Sequence, residues 1–396
     1  MSKKKVILAF SGGLDTTYCA FHLKDDLDLE VHTVLVNTGG FSEEELAETE
    51  RRAQSYGVAS HANLEVTQEF YDECLKYLIY GNVLKNNTYP LCVSAERAFQ
   101  ALAIAKYAKD HGAEYIAHGS TGAGNDQVRF DLIFQIICPD IKIITPIRDN
   151  KLSRQEEIDY LATKGVNISW EKAKYSINKG LWGTSVGGDE TLTSNLTLPE
   201  SAFPSQVEKE GSEEVTLEFE KGQMVALNGE KKGAVQIIEE LTAIASKYGI
   251  GRDVHVGDTI IGIKGRVGFE AAGPVVILKA HHLLEKHTLT KWQAHWKEQL
   301  ASWYGMLLHE GQFLDPVMRD IEVFLENTQR NVTGKVIIKL APYRFETIGI
   351  ESDKDLMASE FGQYGEMNNG WSGEDVKGFT KILANQNKIY SSINND

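Results

Sequence analysis

Two periodicities of apolar and polar positions run through this chain of 396 residues. In the first part, short apolar runs bounded by turn residues predict strands at 4–10, 30–36, 60–66, 114–118 and 141–147. Between them, apolar residues recur every three to four positions, the spacing of a helix with one buried face. SEEELAETERRAQSYG (42–57) opens with Ser42 and carries Glu45 three residues on, the signature of a capping box. LSRQEEIDYLATKG (152–165) repeats it with Ser153 and Glu156. SAERAFQALAIAKYAKDHG (94–112) ends in a glycine stop and places Ser94 at the predicted N-cap. Strands alternating with helices predict an α/β fold, a Rossmann-like parallel sheet covered on both faces. Ligands of such sheets bind beyond the carboxyl ends of the strands.

After about residue 170 the pattern changes. Residues 176–212 are rich in Gly, Ser, Thr and Asn and read as long loops. VTLEFEKGQMVALNGEKKG (215–233) predicts antiparallel strands around a glycine turn, and VQIIEELTAIASKYG (235–249) a helix. Residues 258–286 mix strand and glycine signals before a helix, and KVIIKLAPYRFETIGIES (335–352) reads as a hairpin. The expected organisation is a parallel-sheet domain at 1–170, an α+β domain at 171–365 and a polar, partly helical tail at 366–396.

Composition narrows the class. The net charge of −15 argues against binding long nucleic acid, which needs a basic face. No apolar run is long enough to span a bilayer. The first apolar run is too short for a signal peptide, so no membrane partner and a cytoplasmic location are expected. Cys19, Cys74, Cys92 and Cys138 form no Cys-x-x-Cys pair, so reduced thiols are expected rather than a zinc or dithiol site.

The chemistry concentrates in two loops. KKVILAF runs into SGGLDTT (11–17) and then into a helix. Ser11, Thr16 and Thr17 offer hydroxyls, and Gly12 and Gly13 allow backbone N–H groups to approach an anion. The Gly-Lys-Ser/Thr ending of a Walker A loop is missing, so this is not an ordinary kinase or ATPase loop. Asp15 would repel a phosphate unless a cation lay between them, which points to Mg²⁺. The second loop, AHGSTGAGNDQVRF (117–130), carries Thr121, Asn125, Asp126 and Arg129 within nine residues. These suit a zwitterionic amino acid, Asp126 for the amine and Arg129 as a fork for a carboxylate. The plainer alternative is a surface loop with a local Asp126–Arg129 salt bridge.

AFSGGLDTT resembles the pyrophosphate loop of the N-type ATP pyrophosphatases, and AHGSTGAGNDQVRF the second signature of the argininosuccinate synthases. The resemblance extends through GVNISWEKAKYSINKGLWGTS, GRDVHVGDTIIGIKGRVGFEAAG and DVKGF. It implies a ligase that joins citrulline to aspartate through citrullyl-AMP, with ATP as substrate and Mg²⁺ as cofactor. It further implies ATP contacts at Ala9, Phe10, Ser11, Gly12, Gly13, Leu14, Asp15, Thr16, Thr17, Val36 and Gly119. Aspartate is expected at Thr121, Asn125 and Asp126, and citrulline at Tyr89, Ser94, Asn125, Arg129, Ser176 and Ser185. Ser11, Asp15 and Asp126 are the expected catalytic residues, the metal ligands stay unassigned, and the family's homotetramer is the expected assembly; 1–170 is then the nucleotide-binding domain, 171–365 the synthetase and oligomerisation domain, and 366–396 a C-terminal tail. Where many relatives place a citrulline-contacting glutamate and tyrosine, this chain has Gly257 and Phe269, with Asp258 and Glu270 as neighbouring carboxylates. YSINKGLWG also departs from the common YSxDxNLxG.

Other loop-sharing enzymes fit less well. A tRNA thiolase needs catalytic cysteines and a basic RNA face, and a glutamine-fed amidotransferase an N-terminal cysteine. A non-catalytic nucleotide-binding scaffold has only Gly257 and Phe269 in its favour. His118 reads as structural. His281, His282 and His287 lack the accompanying ligands of a metal site. WQAHWKEQLASWYG (292–305) reads as an aromatic helix for the core or a subunit contact.

Overall fold

The computed structural model describes residues 3–166, 175–361, 364–365 and 370–394. Five parallel strands, β1 (Lys5–Ala9), β2 (Glu30–Asn37), β3 (Ser60–Glu65), β4 (Tyr115–Ala117) and β5 (Lys142–Ile144), form a sheet in the order β3-β2-β1-β4-β5. Val6, Ile7 and Leu8 are fully buried, because β1 is central and covered on both faces. The chain moves outward from β1 to β2 and β3, then returns to the other side of β1 for β4. The loops after β1 and β4 therefore diverge at a topological switch point, where a crevice opens.

The helices start largely where the sequence predicts. Ser42 with Glu45 and Ser153 with Glu156 both form complete capping boxes. The Cys92–Asp110 helix departs from expectation at its start. Leu91, after Pro90, takes a left-handed conformation (φ 66°) and serves as N-cap, which puts Ser94 inside the first turn. Ser94 is thus free of capping duty and turns into the interior.

The second part is α+β, as expected. β6 (Ser176–Asn178) and β7 (Thr184–Gly187) are short strands in the stretch read as loop. They join the longer strands described below. β8 (Glu213–Glu220), β9 (Gln223–Leu227) and β10 (Glu230–Lys231) form a meander, with Lys221 and Gly222 both at positive φ in its first turn. β11 (Arg252–Asp258) and β12 (Lys264–Glu270) complete a sheet of order β11-β12-β7-β6. β13 (Gly334–Ala341) and β14 (Arg344–Glu351) make the predicted hairpin and extend the other sheet to β10-β9-β8-β13-β14.

One continuous core spans both parts. Helical turns from Thr67 to Gly81, unread in the sequence, pack against the Lys291–His309 helix. Gly81 permits this contact, since a Cβ there would lie 2.8 Å from that of Ala301. The residue 170/171 boundary lies outside the described residues. At the other end, the Gly373–Leu383 and Asn385–Asn394 helices bury no side chain, and nearly all their residues are exposed.

Candidate active site

The crevice at the switch point is a cleft of about 1160 Å³ walled by both parts of the chain. Its floor is the turn after β1. Gly13 stands at the N-cap of the Leu14–Phe21 helix and contributes no side-chain hydrogen bond to its first turn. Ser11 Oγ lies 3.4 Å from Thr16 Oγ1, which donates to the Gly13 carbonyl. Gly12 needs its positive φ (75°) to make the turn. The loop after β4 closes on this turn at Gly119, where a Cβ would stand 3.3 Å from Asp15.

Of the residues expected to bind ATP, aspartate and citrulline, all but Gly12 and Thr17 line this cleft. Gly12 acts through its backbone, its carbonyl accepting from Arg52. Thr17 is fully buried in the helix, its hydroxyl without a partner. The residues from distant segments, Val36, Tyr89, Ser94, Ser176 and Ser185, reach the same space as the two loops.

Asp15 has a companion that the sequence did not reveal. Glu157, on the Arg154–Thr163 helix, hydrogen-bonds its carboxyl group. Burial and the neighbouring Asp15 charge push Glu157 up to about 8, and burial likewise raises Asp15. The pair therefore shares a proton at neutral pH.

Asp126 and Arg129 form the local salt bridge, at 2.9 Å. Arg97, also unread in the sequence, donates to the other Asp126 oxygen at 3.0 Å. Burial favours the neutral acid at Asp126, but the two guanidinium groups outweigh it and hold the carboxyl below its usual range. Arg129 is buried. Its Nε and Nη2 donate to the His309 carbonyl, and Nη2 also donates to Ser94 Oγ at 3.1 Å. The fork expected to be open to a substrate carboxylate is thus mostly engaged, leaving one N–H on Nη1. Ser94 Oγ lies 2.9 Å from His309 Nδ1. Burial, with Arg129 next, lowers His309 to about 3, so its ring is neutral. Asn125 accepts from the Ile260 N–H at 2.8 Å, tying this loop to the β11–β12 turn. Asn178 donates to Ser185 Oγ and accepts from Arg97.

Gly257 lines the cleft, whereas Phe269 lies beneath it, its ring 5.4 Å from that of Tyr89. Of the two neighbouring carboxylates, Asp258 lines the cleft and Glu270 does not. Glu270 is held by Arg252 and Ser205, and Asp258 pairs with Lys264 at 2.6 Å.

His118 has a partner after all. It lies 2.9 Å from Asp131, which also binds Arg148, and its Nδ1 accepts from the Ser120 N–H, so it braces the second loop. His281 is buried between Asn82 and Gln329, with Glu285 one turn on, and His287 meets Asp355. Among the described residues no group of three or more His, Cys, Asp or Glu side chains converges as a metal site. Trp292, Trp296 and Trp303 are more than half exposed, which removes them from the core. All four cysteines are free thiols.

Comparison with known proteins agrees with the two loops. Residues 5–167 match the family model described as Arginosuccinate synthase N-terminal HUP domain, and residues 175–390 that of the Arginosuccinate synthase C-terminal domain. The chain is 38% identical over 394 residues to the argininosuccinate synthase of Dictyoglomus thermophilum, covering 99% of this chain and 98% of that one. It is 39% identical over 363 residues to that of Methanocaldococcus jannaschii, covering 91% of each. To that of Xanthomonas campestris it is 35% identical over the full length of both. Two matched domains in order, and identity sustained along the whole chain, make this chain a member of the argininosuccinate synthase family.

Proposed function

We propose that the chain ligates citrulline and aspartate at the expense of ATP, and that its two loops divide the work. The observation that carries this reading is the shared cleft: the Ser11–Thr17 turn and the Thr121–Arg129 loop face one space at the switch point. The ureido oxygen of citrulline attacks the α-phosphorus of ATP, and the bond to the bridging oxygen breaks, releasing pyrophosphate. The aspartate amine then attacks the ureido carbon, loses its proton, and AMP departs with the former ureido oxygen. Pyrophosphate charge would be met by the N–H groups after Gly13 and by the hydroxyls of Ser11 and Thr16. Tyr89, Ser94, Ser176 and Ser185 would hold citrulline, Thr121 and Asn125 aspartate, and Asp126 the aspartate amine. Alignment of three substrates accounts for roughly 7–11 kcal/mol of barrier lowering in favourable cases.

Mg²⁺ suits the donor set. Asp15 puts one hard oxygen ligand in the cleft at the phosphate turn, and Mg²⁺ commonly takes one or two carboxylates with substrate phosphates and water. Bound there, it would supply charge neutralisation at the departing pyrophosphate.

We assign residues 1–170 to nucleotide binding, 171–365 to substrate binding and assembly into a cytoplasmic homotetramer, and 366–396 to a C-terminal tail that adds to that contact. Val376, Phe379, Ile382 and Leu383 form an exposed apolar stripe on one tail helix, which supports contact with another copy. No described helix is long and apolar enough to cross a membrane.

Citrulline labelled with ¹⁸O in the ureido group tests the chemistry. With ATP, Mg²⁺ and aspartate, the label should appear in AMP, in equal amount with argininosuccinate. Unlabelled AMP beside that product would refute ureido attack on phosphorus.

A further inference from the structure

Two glycines follow one another in the phosphate turn, and their shared peptide can face either of two ways. A trans peptide points its C=O and its N–H in opposite directions. Between Gly12 and Gly13 both flanking torsions belong to glycine, so no Cβ resists turning this plane over. One orientation offers the Gly13 N–H to an anion in the cleft. The other offers the Gly12 carbonyl oxygen, which repels an anion. This inference rests on the ligase reading, in which that anion is the departing pyrophosphate.

The choice is made from outside the turn, by the Glu43–Ser55 helix. Gly12 faces that helix: a Cβ there would meet Thr49 Cγ2 at 3.4 Å and Arg52 Nη1 at 3.5 Å. Thr49 and Arg52 are three positions apart and so share one helix face. Thr49 donates its hydroxyl to the Glu45 carbonyl. Arg52 Nη1 donates to the Gly12 carbonyl at 3.2 Å. With the carbonyl held on the helix side, the N–H of the same peptide points the other way. Gly13 lines the cleft and Gly12 does not, and a Cβ at Gly13 would meet only Ser11 Oγ, at 3.5 Å. The use of Arg52 is unlike that of its neighbour. Arg51 is exposed and pairs with Glu48, as arginines on solvated helix faces do. Arg52 is half-buried, forms no ion pair among the described residues, and directs its charge at a backbone oxygen 40 residues away. A charged donor makes a hydrogen bond roughly twice as strong as a neutral one, which favours one face of the peptide over the other.

We propose that Arg52 is a positioning residue for pyrophosphate release: by holding the Gly12 carbonyl on the helix side, it keeps the Gly13 N–H aimed at the charge that develops on the leaving group. Arg52 does not line the cleft and touches no substrate. It acts through one peptide plane, so its effect belongs to the ATP half of the reaction and leaves the citrulline contacts alone.

The test follows AMP release by the purified chain with ATP, Mg²⁺, citrulline and aspartate, and compares two variants. Arg52→Met removes the donor and keeps most of the stem, whereas Arg52→Lys keeps a charged donor. Arg52→Met should lower kcat/KM for ATP at least about tenfold, because a misdirected donor no longer meets the developing anion. KM for citrulline should stay within about twofold, and Arg52→Lys should recover kcat/KM for ATP to within about threefold of the unaltered chain. A smaller loss in folded Arg52→Met overturns this inference and leaves the ligase standing. So does a citrulline KM that rises in step, or a lysine variant as impaired as the methionine one, since either marks general damage and not an aimed N–H. No AMP from the unaltered chain overturns both readings. Should Arg52→Met fail to fold, Arg52→Ala takes its place with the same expectation, alanine being the residue a helix accepts most readily.

Discussion

The ion pair between Lys297 and Glu285 lies in the second part and bonds Tyr80 and Asn82 of the first, and its loss should be costly in a pH-dependent way. Both side chains are 2% exposed and lie 2.8 Å apart. Lys297 also donates to the Tyr80 carbonyl at 2.7 Å, and Glu285 accepts from Asn82 and Gln329. Burial alone would raise the Glu285 pKa, but Lys297, and then His281, outweigh it and hold it below the ordinary value. Lys297→Met removes the main opposing charge and leaves the carboxylate buried, a change that costs about 3–5 kcal/mol. Glu285 then relieves part of that cost by keeping its proton, so its folded pKa moves above the unfolded value near 4.5. Such a group binds more protons folded than unfolded, so its stability contribution is full below the unfolded value and is lost as pH rises toward the folded one. Each pH unit in that window is worth about 1.4 kcal/mol. His281, lowered to about 4 chiefly by burial, takes up a proton in this window only in the unfolded chain, a term common to both proteins that cancels from the penalty. Urea unfolding at pH 5.5 and pH 8 should give a penalty of about 3–5 kcal/mol at pH 8 and at least about 1 kcal/mol less at pH 5.5. Adding Glu285→Gln should recover most of the loss at pH 8, because no charge remains to be buried. An equal penalty at both pH values, or one below about 1 kcal/mol at pH 8, would refute the reasoning.

Glu157 and Glu96 are both raised to about 8, chiefly by burial, so each contributes stability that is full below about 4.5 and lost as pH climbs through 8. The ligand-free chain should therefore lose thermal stability between pH 6 and 9, and Glu157→Gln should flatten that decline; a decline of the same slope in the variant would contradict the Asp15–Glu157 pairing. Gly119→Ala puts a methyl group 3.3 Å from Asp15 and forces the phosphate turn to shift, so KM for ATP should rise several-fold while the melting temperature stays within about 2 °C; an unchanged KM in steady-state assays would show that the two loops move independently. Removing residues 371–396 strips Phe379, Ile382, Leu383, Ile389 and Tyr390 from the surface, and sedimentation should then show a smaller assembly; an unaltered mass would place the contact elsewhere.

The parallel sheet was legible because its signals are local. An apolar run, a glycine turn and a capping box each fall within ten residues, and Ser42–Glu45 and Ser153–Glu156 formed as their spacing requires. The phosphate turn was legible for the same reason. Arg97, Glu157 and His309 were not, because each matters through a partner 29, 142 and 180 residues away in sequence, at Asp126, Asp15 and Arg129. An arginine or glutamate on a helix otherwise reads as a solvated face. Ser94 was misjudged as an N-cap because nothing local reveals that Leu91 adopts a left-handed conformation and starts the helix early. The short strands β6 and β7 were read as loop because β7 gains its partner from β12, eighty residues on.

These long-range partners change what the second loop does. A surface loop with three glycines would be expected to order only when substrate arrives. Here Asp126 is fixed by two arginines, Arg129 by Asp126, Ser94 and the His309 carbonyl, and Asn125 by the Ile260 N–H. The polar groups left over, one N–H of Arg129, the Asn125 amide nitrogen and the Thr121 hydroxyl, therefore stand at positions set before binding. Their ordering entropy is already spent in folding, so substrate contacts there need not supply it. The same bracing fixes the charge of the cleft. Asp126 sits between Arg97 and Arg129 whether or not a ligand is present. Specificity at the second loop is thus a property of the folded chain and not of a loop that adapts to its substrate.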